Sequence, residues 1–399
     1  MRGCVSSKNI FCLLLFLSVN LFAQNNPGPR YGHTMVSFNN NIYLFGGATT
    51  ALGKTKGGAR LEVELNDLYV YVDSEKAWEM MHIQNSPPAR KNHTANVWNG
   101  KMIVYGGENE TKTYNDLWSF DFTTKVWNQL TVGGNPPEVS GHSAVIDGDL
   151  LVIAGGADSM NTSQESVLSI DLNNPQQGFQ EKADLTEPLQ GGGMFLYNSS
   201  YYFIGGIWDD WDSSTPGSQP SYSANIWQLG TGSSSWNQSS YTGNLPEISK
   251  FAGAYDSENN KYYIVGGESY DYTSSTPVTE NSIIVVNPLN NTSEETDTVN
   301  IGMQLAAVVV SSDSGSLNKI NLGKVSSVNA NTTCLYIYGG LSEDDEVLSS
   351  FYKYNPETKT LTEIVLPTAP TSPTNLTATV ISSSQINLSW TDNSNDEAG

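Results

Sequence analysis

Two tryptophans and three aspartates lie side by side in Trp208-Asp209-Asp210-Trp211-Asp212, and no other stretch of this sequence concentrates so much chemistry. Indole faces stack on the C–H surfaces of sugars, and carboxylates accept hydroxyl protons. Glu268-Ser-Tyr270-Asp271-Tyr272 repeats the combination in a later segment. Against this stands the ordinary behaviour of a long solvated loop whose aromatics fold back on the scaffold. A calcium site is not indicated, because Asp209, Asp210 and Asp212 lack the alternating oxygen ligands and downstream bidentate glutamate of a strong loop. Sugar hydrolysis would require paired carboxylates across a pocket, with Asp209 or Glu268 as candidates.

Cationic and imidazole groups recur with a period. His33, His93 and His142 stand in Arg-Tyr-Gly-His-Thr, Arg-Lys-Asn-His-Thr and Val-Ser-Gly-His-Ser. Three histidines suggest zinc, but equivalent positions in successive repeats spread around an axis, so each is expected to be buried and bonded to backbone within its own repeat. Arg30 and Arg90 share that phrase and are candidates for recognising a carboxylate, while Lys250 is expected only to join them in the blade-to-blade turns. The alternative is pairing with a neighbouring loop. No Ser-His-Asp order, phosphate loop or zinc motif occurs, so no catalytic residue, metal or cofactor is assigned.

The elements that must hold these residues announce themselves through six diglycines: Gly46-Gly47, Gly106-Gly107, Gly155-Gly156, Gly205-Gly206, Gly266-Gly267 and Gly339-Gly340. Each ends a short apolar strand. The three histidines each precede a diglycine by 13 residues. Asn66-Asp67-Leu68-Tyr69, Asn115-Asp116-Leu117-Trp118 and Asn225-Ile226-Trp227 follow, with Trp78, Trp127 and Trp236 nine residues after the aromatic. Every unit therefore supplies four strands, from the histidine position to the tryptophan, and such a unit is a propeller blade. The diglycine serves a sharp turn and close approach to the next blade.

The chain resembles a kelch-repeat β-propeller of the galactose oxidase/kelch superfamily, from about Pro29 to Leu366. The resemblance implies six blades, with the loops between second and third strands gathered on one ligand-binding face. Those loops are Thr49–Asn66, Glu108–Asn115, Asp158–Glu165, Ile207–Ala224, Glu268–Asn281 and Leu341–Ser349. A copper radical site of the galactose oxidase kind needs two histidines and a cysteine-linked tyrosine. No histidine follows His142, and Cys334 reads as an inert buried thiol, so oxidase chemistry is not expected. Blades five and six are degenerate, and no strand is offered for a swapped closure of the ring.

Residues 1–23 read as a secretory signal, with Arg2 and Lys8 ahead of the apolar run from Ile10 to Val19. Cleavage after Ala23 would leave 17 basic against 41 acidic residues, a formal charge of −24. So acidic a surface excludes nucleic acid as the expected partner, and no segment suits membrane insertion. After a Pro/Thr-rich linker at 367–373, the strands Thr374–Val380 and Ile386–Trp390 resemble the opening of a fibronectin type III domain. The expected architecture is all-β: a six-bladed propeller at 24–366 and a truncated fibronectin type III-like segment at 374–399. The expected function is a secreted, extracellular or cell-surface module of a larger protein, binding protein or glycan; the alternative is a carbohydrate-active enzyme such as a sialic-acid mutarotase or hydrolase.

Overall fold

The computed structural model describes residues 26–54, 60–208, 220–243, 245–296, 302–313, 332–366, 374–382 and 385–391. The 1–23 signal segment, the 367–373 linker and Asp209, Asp210, Trp211 and Asp212 lie outside the described residues.

Six sheets, each with four consecutive antiparallel strands, make the blades of an all-β, six-bladed β-propeller. In blade one the strands are Thr34–Phe38, Asn41–Phe45, Leu68–Val72 and Ala77–Met80, paired in that order. The innermost strands of blades two to six are Thr94–Trp98, Ser143–Asp147, Gly193–Tyr197, Ala252–Asp256 and Ala307–Asp313. Second strands carry the apolar runs before each diglycine and are the most buried, as in Ile42, Leu44 and Phe45. Trp78 and Trp127 lie in fourth strands and Trp236 just before one.

Packing is organised by interface rather than around one centre. Six apolar clusters each join two neighbouring blades, including one between blades one and six that packs Tyr71, Trp78, Tyr336, Tyr338 and Phe351 together. Burying a side chain of this size stabilises by about 1.5–3 kcal/mol. Trp236 donates its indole N–H to the Ala183 carbonyl at 2.8 Å, as a buried indole should. Trp78 and Trp127 find no acceptor among the described residues.

Two cycles of backbone hydrogen bonds close the ring. Gly32, Asn92, Gly141, Gly191, Lys250 and Leu305 occupy one equivalent turn position with φ between 51° and 65°. The N–H of each donates to the carbonyl of its counterpart in the adjacent blade at 2.7–2.9 Å, and the N–H of Gly32 reaches Leu305. In the second cycle Gly47, Gly107, Gly156, Gly206, Gly267 and Gly340 donate to Arg90, Val139, Leu189, Ile248, Met303 and Arg30, all at 2.8–2.9 Å. Closure thus needs no swapped strand. The Tyr338 hydroxyl also donates to the Pro27 carbonyl, tying the start of the described chain to blade six.

The fibronectin type III assignment is corrected. The sheet that starts at Ala307–Asp313 is the propeller's own sixth and last blade, and the Glu268–Thr279 hairpin likewise belongs to the ring. Beyond residue 366 the described residues form one hairpin, Thr374–Ser382 with Gln385–Thr391, whose strands pair with each other alone. A sandwich requires two packed sheets. The described residues form a six-bladed propeller and, among them, no fibronectin-like sandwich.

The diglycine requirement is steric. Both members take positive φ, and a Cβ on Gly155 would meet the Leu189 carbonyl oxygen at 2.2 Å. We expect Gly155→Ala to lower stability by at least about 2 kcal/mol, read from urea and thermal midpoints. Gly28→Ala, which meets nothing within 4 Å, should leave those midpoints in place. An unchanged midpoint for Gly155→Ala would contradict this account of the interface.

Candidate functional site

Above each diglycine the chain rises into an extension on one face of the ring. Ala48–Lys54 pairs with Arg60–Glu64, Glu108–Asn109 with Lys112–Thr113, Ile207–Trp208 with Ser221–Tyr222, and Glu268–Asp271 with Thr276–Thr279. Single bridges Ala157–Ser163 and Leu341–Val347 do the same in blades three and six. The first residue of each extension also bridges to Tyr31, Lys91, Ser140, Gln190, Ser249 or Gln304, immediately before the six turn positions. These residues frame the mouth of the central channel.

At blades one and two the mouth is a charged network. The Tyr31 hydroxyl and the Lys91 ammonium both donate to Glu62, and Lys91 lies 5.6 Å from the Tyr31 ring centroid. Glu108 accepts from Asn92 Nδ2 at 2.8 Å and from Ser140 Oγ at 3.1 Å. Burial, then Glu62, Glu64 and Glu108, push the Tyr31 hydroxyl far above the ordinary tyrosine range. Burial opposes ionisation of Glu62, yet the bonds from Lys91 and Tyr31 outweigh it and hold the carboxyl below its usual value.

At blades four and five the mouth is aromatic. Glu268 is buried and accepts from the Tyr222 hydroxyl and, at 2.7 Å, from Lys250 Nζ. Tyr222 stacks on Tyr270 at 6.1 Å, and Tyr270 meets Tyr272 edge-on at 5.0 Å. Trp208 is 42% and Tyr272 47% exposed. The structure therefore brings Glu268, Tyr270 and Tyr272 into one cluster. Asp271 is engaged elsewhere: it accepts from the Thr273 N–H and the Ser274 hydroxyl, both at 2.8 Å, and so serves its own turn.

The expectation for Arg30 and Arg90 as ligand contacts is corrected. Both guanidinium groups are buried. Arg30 forms a two-pronged pair with Asp67 at 2.7 and 3.0 Å and donates to the Gly46 carbonyl at 2.9 Å. Arg90 repeats this with Asp116 at 2.6 and 2.9 Å and Gly106 at 2.8 Å. Each clamps the Asn-Asp phrase to the diglycine of its own blade. Lys250 is not their equivalent, since it sits two positions later, on the turn ring itself.

Inside the ring a cavity of about 220 Å³ follows the axis, lined by the innermost strands. His93 Nε2 lies 2.9 Å from the Thr34 hydroxyl and His142 Nε2 3.0 Å from that of Thr94. His93 and His142 therefore bridge to the preceding blade instead of bonding within their own. Burial drives all three imidazoles towards neutrality, His142 to about 3, with Arg30 and Arg90 adding to the effect at His33 and His93. Among the described residues no group of three or more His, Cys, Asp or Glu could hold a metal ion.

Sequence reasoning missed Tyr31, Glu62, Lys91, Glu108 and Tyr222. Tyr31 and Lys91 could have been found from their place directly after each arginine of Arg-x-x-His, whereas Glu62 and Tyr222 depend on hairpin register.

A family model described as the KLHDC2/KLHL20/DRC7 Kelch-repeats domain matches residues 17–206. Among curated proteins, Tip elongation aberrant protein 3 of Schizosaccharomyces pombe is 33% identical over a match covering 21% of this chain and 9% of that protein. A probable serine/threonine-protein kinase of Dictyostelium discoideum is 33% identical, covering 21% and 6%. Protein ral2 of Schizosaccharomyces pombe is 29% identical, covering 26% and 15%. The chain thus matches only a small part of each of these relatives.

The neutral histidines make stability depend on pH. Their folded pKa values lie below the ordinary 6.5, so the contribution is complete above that value and declines as pH falls beneath it. Each adds a slope of about 1.4 kcal/mol per pH unit. Urea midpoints measured from pH 7.5 to 4.5 should fall steadily below 6.5, and His142→Gln should flatten the profile. A flat wild-type profile would show that these imidazoles are not buried neutral.

Proposed function

We propose that this kelch propeller is a binding module that engages an extracellular protein or glycan through the face carrying its hairpins. One observation carries the reading. Nine large apolar residues are exposed among the described residues, and six of them, Leu61, Val63, Met160, Trp208, Tyr272 and Val278, lie in the extensions on that face. Exposed apolar groups gathered on one surface mark interaction sites.

The carboxylates support binding over catalysis. Acid–base chemistry needs one carboxyl held protonated, yet Glu62 is shifted towards ionisation and Glu268 is closed off by Tyr222 and Lys250. Exposed Trp208, on the hairpin that also carries Tyr222, and the Tyr222–Tyr270–Tyr272 cluster favour a glycan as the second reading, because exposed aromatic faces accept sugar rings. Secretion rests on the charged start and apolar run of residues 1–23, and N-terminal sequencing of exported protein should begin at Gln24. No helix among the described residues is long and apolar enough to cross a membrane.

Replacing Trp208, Tyr272 and Leu61 by serine should leave the thermal midpoint within about 2 °C of wild type, because exposed positions rarely affect stability. Binding to whatever a glycan array or crosslinking from the native surface identifies should fall at least tenfold. Retention of binding by the triple variant, or hydrogen-exchange protection confined to the opposite face, would dismiss the proposal.

A further inference from the structure

The face carrying the hairpins is acidic as well as apolar. Its six loop segments make up 75 of the 399 residues, yet they hold 16 of the 41 acidic residues and only 4 of the 19 basic ones. Part of this charge is engaged within the molecule. Glu62 is paired with Lys91 and Glu268 with Lys250, while Asp158 and Asp271 accept backbone N–H groups of their own turns. Five further carboxylates face outward. Glu110, Glu165, Glu343, Asp344 and Glu346 are exposed on the extensions of blades two, three and six, and none forms an ion pair among the described residues.

Charge and apolar surface share the same tips. Met160, 80% exposed, lies between Asp158 and Glu165 on blade three, and exposed Leu61 and Val63 flank Glu62 on blade one. The outward carboxylates are spread around the rim, and among the described residues no group of three or more converges to hold a metal ion. A second copy of this chain is disfavoured as occupant, because each copy carries a formal charge of −22. Anionic glycans meet the same repulsion, and a neutral glycan gains nothing from the charge. What complements both features is a protein surface in which cations surround apolar side chains.

We propose that the partner of the hairpin face is a protein surface rich in lysine and arginine, whose apolar side chains dock among Leu61, Met160, Trp208 and Tyr272. The assignment rests on the binding role proposed above and names its partner class. At physiological salt, charges act over about 8 Å, so the tip carboxylates steer the approach and the apolar groups hold the docked partner. Rim charges accordingly set the association rate, and the apolar anchors set the dissociation rate.

Biolayer interferometry on the whole chain tests the assignment. The probe is a peptide of alternating lysine and leucine, with a glutamate–leucine peptide of equal length as control and dextran as a neutral glycan. Only the lysine–leucine probe should bind, and its association rate should fall about tenfold between about 50 and 300 mM salt. Combining Glu165→Gln, Glu343→Gln and Asp344→Asn should slow association about three- to fivefold with little change in dissociation. The same charge removed from outer strands, by Glu79→Gln, Glu181→Gln and Glu295→Gln, should leave both rates nearly unchanged. Equal slowing by the two sets would reduce the attraction to net charge and overturn the proposal, as would comparable binding of the glutamate–leucine peptide or of dextran. The serine variant at Trp208, Tyr272 and Leu61 separates this proposal from the reading beneath it. Faster dissociation from that variant, with no effect of the tip substitutions, would leave the face in place and rule out a cationic partner; unchanged dissociation would rule out the face itself.

Discussion

Everything in this molecule is arranged around a turn residue in the left-handed region whose N–H is held by the adjacent blade. Six such residues hand a hydrogen bond from blade to blade until Gly32 receives the acceptor offered by Leu305. The carbonyl two residues earlier in each turn accepts from the second glycine of the preceding blade, with Arg30 serving Gly340. A single bond of this kind contributes only about 1 kcal/mol. In a closed cycle, however, no member can be left unpaired without exposing buried polar groups on both sides. Blade number, blade tilt and the convergence of the hairpins are consequences of that closure.

The same constraint explains what the sequence reveals. Diglycines are legible because both members have positive φ and the first lies against a neighbouring carbonyl, so no other residue fits. The turn ring is less legible, since Asn92, Lys250 and Leu305 take the same conformation that Gly32, Gly141 and Gly191 do. Arg30 looked like a ligand contact because its partner Asp67 lies 37 residues away, a pairing that only the folded blade displays. Alternation in Thr374–Val380 and Ile386–Trp390 was true to strand structure, but two paired strands are common to many folds and do not specify a sandwich.

Legibility of the mouth fails for a different reason. Glu62 reaches Tyr31 and Lys91 from a hairpin inserted after the diglycine, and its facing is set by the pairing of Thr50 with Glu62. A shift by one residue would turn Leu61 and Val63 inward and the carboxylates outward. Composition signalled an acidic, aromatic loop surface. It could not say which member of each alternating pair faces the channel.

Channel filling shows how the two halves of the ring became different. Where blades one to three place His33, His93 and His142, blades four to six place Gly192, Phe251 and Ala306 at the residue after the turn. The polar bridges through Thr34 and Thr94 disappear with the imidazoles. In their stead Tyr262 lies against Gly193 and Gly253, where a Cβ would meet its hydroxyl at 2.1 and 1.8 Å, and Phe195 stacks with Tyr202, Tyr255 and Tyr262 at 4.8–5.1 Å. Aromatic volume thus replaces hydrogen bonds at the interface of blades four and five. The arginine clamps are confined to blades one and two, and above the aromatic interface the mouth exposes Trp208 and Tyr272. A surface rigidified by stacked rings beneath it presents aromatic side chains at low entropic cost, so the asymmetry of the core concentrates the exposed aromatics of the proposed binding face at blades four and five.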